Sequence, residues 1–286
     1  MLAIFKHELR ALFHSFTAYV FGAFLLVVVG LGALAYNLQA AVSNFEYVLS
    51  FAGIIFVVIV PLLTMRVIAE ERRQKTDQLL YALPISTTDV VLGKYAALLV
   101  VFLVPLAVIA VYPLIFSCFG EVYLPVSYGS IFAYFVMGAA LIAVGVFLSS
   151  LTENQGMAAG LGVAVILFNY YSVSLSEYVS QSCRHAHCAL CIDPGAGISR
   201  ALADEKRAPW LCCLAGVDGA LLHRLRRDAT AFEGLLPKIM KTLSLFERLN
   251  TFVNGVFDLT ALVYFLSVIV VFLFLTVQSL EKRRYN

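Results

Sequence analysis

The sequence predicts an all-α integral membrane protein, a polytopic helical bundle, and three observations predict it. Hydrophobic residues make up 61% of the 286-residue chain, charged residues only 13%, and the mean hydropathy is +0.89, which is far too apolar for a soluble domain of this length. Several apolar runs reach the roughly 20 residues that a helix needs to cross a bilayer. None of them shows the alternation of a barrel strand, so each must satisfy its backbone hydrogen bonds internally, as a helix. The net charge of +2 is too small to point to nucleic acid, and the basic residues matter through where they sit.

Residues 1–15 come first. Leu2, Phe5, Leu9, Leu12, Phe13 and Phe16 recur at helical spacing, with Lys6, Glu8, Arg10 and His14 mostly on other faces. The pattern predicts a helix lying in the cytoplasmic interface and then turning into the lipid bilayer. A basic anchor that merely sets topology is the plainer alternative, and His7 and His14 read as solvated interface residues.

Six spans follow, at 16–36, 47–69, 94–118, 130–151, 157–177 and 259–279. The first is too long, and too soon followed by another, to be a cleaved secretion signal. Lys6 and Arg10 precede it; Arg66, Arg72, Arg73 and Lys75 follow the second span; Lys282, Arg283 and Arg284 close the chain. The connections 37–46 and 119–129 hold no Lys or Arg, so both termini and the loop at 70–92 are predicted to be cytoplasmic.

The spans carry little polar chemistry. No ionisable group falls near the middle of any of them, where a proton- or sodium-coupled carrier usually keeps one; Lys94 and Glu177 lie at ends and can reach the interface. The small residues of "GMAAG", Gly156 to Gly160, and of Gly138, Ala139 and Ala140 suit close helix packing inside one subunit, with a dimer interface as the second reading. Tyr134, Tyr170 and Tyr171 read as interfacial belt residues before they read as lining for a substrate path.

The most informative stretch is "RVIAEERRQKTDQLLYALPISTTDVVLGK", Arg66 to Lys94. Glu70 and Glu71 followed by Arg72, Arg73 and Lys75 make a charged helix that leaves the membrane. Leu79, Leu80 and Leu83 give it an apolar edge, and Pro84 ends it. Ser86 with Asp89 three residues on forms a capping-box-like start for the next span. Such a helix can dock in a groove of a soluble partner; a solvated connection is the alternative.

This run resembles the first cytoplasmic loop of ABC-2 type transporter permeases. Arg66, Ala69, Glu70, Glu71, Arg72, Thr76, Leu79, Leu80, Pro84, Ile85, Ser86, Leu92, Gly93 and Lys94 carry the likeness. The ending "FVNGVFDLTALVYFLSVIVVFLFLTVQSLEKRR" is similar to the last span of the gliding-motility-associated branch of that family. The resemblance implies a multi-pass permease subunit of an exporter in the bacterial cytoplasmic (inner) membrane, working with an ABC ATPase subunit and a second permease copy or paralogue. Residues 70–92 would be its coupling loop, with Arg66, Glu70, Glu71, Arg72, Arg73, Thr76, Leu79, Leu80 and Pro84 as contact candidates. On this reading the chain is no enzyme and binds no cofactor; ATP and Mg belong to the partner. Consistently, "GKY" at Gly93 to Tyr95 lacks the first Gly and the hydroxyl of a phosphate-cradling loop. Two other functions stay open: a non-transporting scaffold that recruits an ATPase to surface or gliding machinery, and a metal-handling membrane protein.

The block 179–230 is unlike its surroundings. Five of the six Cys lie between 183 and 213, three of the five His between 185 and 223, and ten of the twenty Lys and Arg between 184 and 248. Five preceding spans would place this basic block outside, against the charge rule kept elsewhere. Three readings compete. Cys188 and Cys191 with Cys183, His185 or His187 form a zinc or redox site, although five ligands crowded in one run cannot all turn inward. Alternatively the block is a plain extracytoplasmic loop. The third and leading reading is translation out of frame: permitted codons for "LADEKRAPWL", Leu202 to Leu211, read one base later, give "WRTKNAPLG" between two apolar runs. That would raise the span count to eight. Residues 231–258 return to an amphipathic pattern, with Leu235, Ile239, Leu243, Phe246 and Leu249 at helical spacing, and predict an interfacial helix on the outer surface before the last span and tail, 259–286.

Overall fold

The computed structural model describes residues 2–42, 44–74, 86–191, 240 and 242–284, with the backbone alone over 176–191 and at 284. Contacts divide the chain into one unit of residues 1–170 with 245–286 and a second of residues 171–244, into which the end of one long helix continues. All regular structure among the described residues is helical.

Helix α1, Leu2–His14, ends at Ser15, whose extended backbone breaks the chain's course before α2, Phe16–Ala33, and its π-helical continuation Leu34–Gln39. The break falls at the expected boundary between the N-terminal helix and the first span. Leu9, Leu12 and Phe13 pack against the protein core, and Ile4 and Phe5 press on Gly93, where an added Cβ would stand 3.2 Å from Ile4 Cγ2. Part of its apolar face thus meets the protein, with these side chains half-buried, and Leu2 and Phe16 stay exposed.

The second span is broken. Helices α3, Glu46–Gly53, and α4, Phe56–Thr64, meet at 61°. At the break the amides of Val57 and Val58 reach back only three residues, to Ile54 and Ile55, and Pro61 has no amide to offer the Val57 carbonyl one turn before it. A charged turn of helix, α5, Ala69–Arg73, follows α4. Helix α6, Thr87–Ile109, continues after a break at Ala110 and Val111 into α7, Tyr112–Ser117, and then come α8, Leu124–Leu151, and α9, Gln155–Cys191. The chain closes with α10, Leu245–Val253, and α11, Leu259–Arg284. Among the described residues five helical stretches are long and apolar enough to span a bilayer, six if the bent α3–α4 pair counts as one, so each span expected from the sequence has a counterpart.

Helix α8 lies at the centre of the first unit, and its small residues explain how. A Cβ at Gly138 would fall 2.5 Å from the Phe102 ring of α6, and one at Gly145 would fall 2.9 Å from Thr64 Cβ of α4. Helices meet in lipid chiefly by such close packing, since lipid tails are as apolar as leucine. Gly162 of α9 plays the same part against Pro61, at 2.9 Å. Gly160, in contrast, has nothing within 4 Å, and a Cβ at Gly156 would meet only Asn154 of the preceding turn. Packing within the subunit therefore accounts for the Gly138 patch and not for the glycines of "GMAAG".

Both described ends of the chain gather at one end of this bundle. Thr87 Oγ1, at the start of α6, donates to Glu281 Oε1 near the end of α11, and Arg283 pairs with Glu153 at 3.0 Å. At the opposite end α10 buries Leu245, Phe246, Leu249 and Phe252, with Phe246 against Gly53. Ser130 Oγ donates to the Phe252 carbonyl and Ser50 Oγ to Asn250 Oδ1. The amphipathic helix expected in 231–258 is present over Leu245–Val253, and residues 231–239 lie outside the described ones. Asp258 starts α11, and the Thr260 amide that donates to its carboxylate at 2.8 Å holds that carboxyl below the usual range.

Candidate functional site

The site is the point where the second span emerges toward the end that carries the termini. Its local cause is sequence: after Thr64, whose hydroxyl bonds back to the Val60 carbonyl, the apolar run stops and "AEERR" begins. A five-residue helix cannot hold itself, because it leaves most of its end groups unpaired. The partners come from elsewhere in the fold. Ser149 of α8 accepts hydrogen bonds from the amides of Ile68 and Ala69, at 3.3 and 3.1 Å, and donates to the Met65 carbonyl. One buried hydroxyl thus caps α5 from a different helix.

The second attachment is ionic. Lys94 of α6 is 3% exposed, and its Nζ stands 2.6 Å from Glu71 Oε1, 2.8 Å from Glu8 Oε1 and 3.2 Å from the Val67 carbonyl. An ammonium has three hydrogens to donate, and here there are three acceptors, from α5, α1 and the turn before α5. Arg66 adds a third attachment through Thr17 Oγ1 at the start of α2, at 3.2 Å.

The expected coupling residues therefore divide. Arg66 and Glu71 are tied into the bundle, Arg72 is buried, and Glu70, half-buried, accepts from Gln74. Arg73 points to solvent. Thr76, Leu79, Leu80 and Pro84 lie outside the described residues. Ser86 caps α6 as its spacing to Asp89 predicted, accepting from the Asp89 amide at 3.2 Å.

Sequence reasoning missed Glu8, Ser149 and the role of Lys94. Lys94, read as a residue at a span's end that can reach the interface, lies seven residues into α6 and is enclosed there by Glu8 of α1, Glu71 of α5 and the Val67 carbonyl. A signal existed for Glu8, which falls between Phe5 and Leu9, on the side of α1 that faces the protein; an acid there needs a partner. Glu46 was missed too. It opens α3, is 3% exposed, and accepts from Ser127 Oγ at 2.8 Å. Tyr134, expected in an interfacial belt, is instead fully buried, its ring 4.6 Å from that of Phe56 and its hydroxyl bonded to the Ala52 carbonyl. Tyr170 packs edge-on against Phe246.

The side chains of Cys183, His185, His187, Cys188, Cys191 and Glu177 lie outside the described residues, as does the rest of the block to residue 230. Among the described residues no group of three or more His, Cys, Asp or Glu is placed to hold a metal ion.

Residues 33–179 match the family model described as "ABC-2 family transporter protein", over just more than half of the chain. The match runs from the end of α2 into α9 and includes the whole attachment of α5 except α1 and Thr17. No curated protein and no solved structure matches the chain.

Proposed function

The chain belongs to the ABC-2 transporter family, and we propose that it is the permease subunit of an ATP-driven exporter, moved by a separate ATPase that engages residues 70–92 from the cytoplasm. The observation that carries this reading is the double attachment of α5, by Ser149 to the central helix α8 and by Lys94 to α6. A charged loop that only joined two spans would need neither. Attached in this way, a push on the loop reaches the spans as a shift of packed helices, the kind of rigid-body switch that alternates access to a membrane path. The basic residues flanking this end support its cytoplasmic placement.

ATP and Mg are then bound by the partner, and this chain supplies no catalytic residue. A second permease copy or paralogue completes the pathway, the bacterial inner membrane is its setting, and the last span's likeness supports the gliding-motility-associated branch. The test is capture: the tagged full-length protein, co-expressed with an ABC ATPase from the same genome, should retain that ATPase through purification, and Leu79→Asp with Leu80→Asp should abolish retention. Absence of any retained ATPase, or retention unchanged by the double substitution, would overturn the reading.

A further inference from the structure

We propose that Lys94 is a positioning residue that makes the N-terminal helix α1 a working part of the coupling device, so that displacement of α5 moves α1 and α6 together. The proposal rests on the ATPase-driven reading above.

Three features carry it. The ammonium of Lys94 is enclosed and saturated by Glu71, Glu8 and the Val67 carbonyl, at 2.6, 2.8 and 3.2 Å. Removing any one acceptor leaves a buried charge undercompensated, so α5 cannot leave its place while α1 and α6 stay in theirs. Second, α1 lies tightly on α6 beside that lysine: at Gly93 a Cβ would stand 3.4 Å from the backbone nitrogen of Phe5 as well as 3.2 Å from Ile4. A larger residue there would lift α1 away from Lys94. Third, α1 joins the first span through a single extended residue, Ser15, with φ −85° and ψ 143°. An α1 that tilts with α5 therefore pulls on the start of α2, where Thr17 already holds Arg66. Motion entering at α5 leaves by two routes, directly into α6 and through α1 into α2. An anchor that only set topology would need no acid on its protein-facing side.

The experiment uses the full-length protein in complex with its ATPase in liposomes, and reads ATPase retention and ATP hydrolysis separately. Glu8→Gln keeps Lys94 paired with Glu71 and the Val67 carbonyl. It should retain the ATPase with unchanged affinity while permease-stimulated hydrolysis falls about fivefold or more. Glu8→Asp, which keeps the charge, should recover most of the loss. If Glu8→Gln yields no folded protein, Gly93→Ala, which crowds α1 where it lies beside Lys94, should show the same split. Wild-type hydrolysis in a folded Glu8→Gln or Gly93→Ala complex overturns the proposal and leaves the ATPase reading intact, as does failure of Glu8→Asp to differ from Glu8→Gln. A wild-type protein that retains no ATPase brings down the reading itself.

Discussion

The hydroxyl of Ser149 stands 3.1 Å from the amide of Ala69, so the first turn of the charged helix α5 is capped by a residue 80 positions further along the chain. The same oxygen serves Ile68 and Met65, and both ends of the contact are buried. Ser149→Ala removes three hydrogen bonds and strands two amides. We expect a loss of about 1–3 kcal/mol, seen as a lower Tm in detergent. An unchanged Tm would mean that water or another side chain takes over the cap.

Lys94→Met should be more damaging, because it takes the shared ammonium from between the carboxylates of Glu8 and Glu71, both partly enclosed. Loss of one partner from a buried ion pair costs about 3–5 kcal/mol, and the partial exposure of Glu71 places this case near the lower figure. Replacing the cluster as a whole by Lys94→Met, Glu8→Leu and Glu71→Leu should recover much of that stability, since apolar residues of similar volume often substitute for buried ions without loss. Thermal unfolding of the two variants beside wild type decides it; equal Tm values for the single and triple variants would contradict it.

These contacts mark where the sequence stops being legible. The spans were readable because length and hydropathy are local properties, and the "AEERR" helix and the Ser86 cap were readable because their partners lie within a few positions. The pairs Lys94–Glu8 and Ser149–Ala69 join residues 86 and 80 apart, and nothing in hydropathy says which polar residue at a span's end will meet which. Glu46 and Tyr134 escaped for a related reason. A polar or amphipathic side chain near the edge of an apolar run looks interfacial until the fold packs α8 on the second span, setting Ser127 against Glu46 and Ala52 and Phe56 against Tyr134. The bend at Ile54 and Ile55 had a visible cue in Pro61, but that cue gives neither the angle nor the position of the break.

The glycines supply a contrast within one chain. Gly145→Ala would drive a methyl into Thr64, at 2.9 Å from its Cβ, and forcing an extra carbon into a close-packed seam costs roughly 1–3 kcal/mol. Thr64→Gly in the same chain should return part of that loss, because it clears the colliding atoms. Gly160→Ala meets open space and replaces a helical glycine, so it should leave Tm unchanged or raise it slightly. Tm measured on all three checks the pattern, and a large loss at Gly160 would show that a second chain packs there.

The family match ends at residue 179, and the Cys-, His- and Arg-rich composition begins within a few residues of that point and ends near 230. Placing "CRHAHC" or "HRLRRD" in a bilayer would be costly, and placing the block outside contradicts the distribution of Lys and Arg in the rest of the chain. A one-base displacement near codon 182, reversed near codon 229, would resolve both conflicts. Read with permitted codons, it would turn the block into two apolar runs joined by a short basic turn and leave both ends of the chain on the same side. The genomic sequence over codons 178–235 should therefore read, one base later, as an open apolar peptide with no stop, and the restored protein should show two further spans by cysteine accessibility mapping. A stop codon or a polar peptide in the displaced frame would instead establish the block as a genuine segment, and zinc analysis of the protein and of Cys188→Ser would then separate a plain extracytoplasmic loop from a metal site.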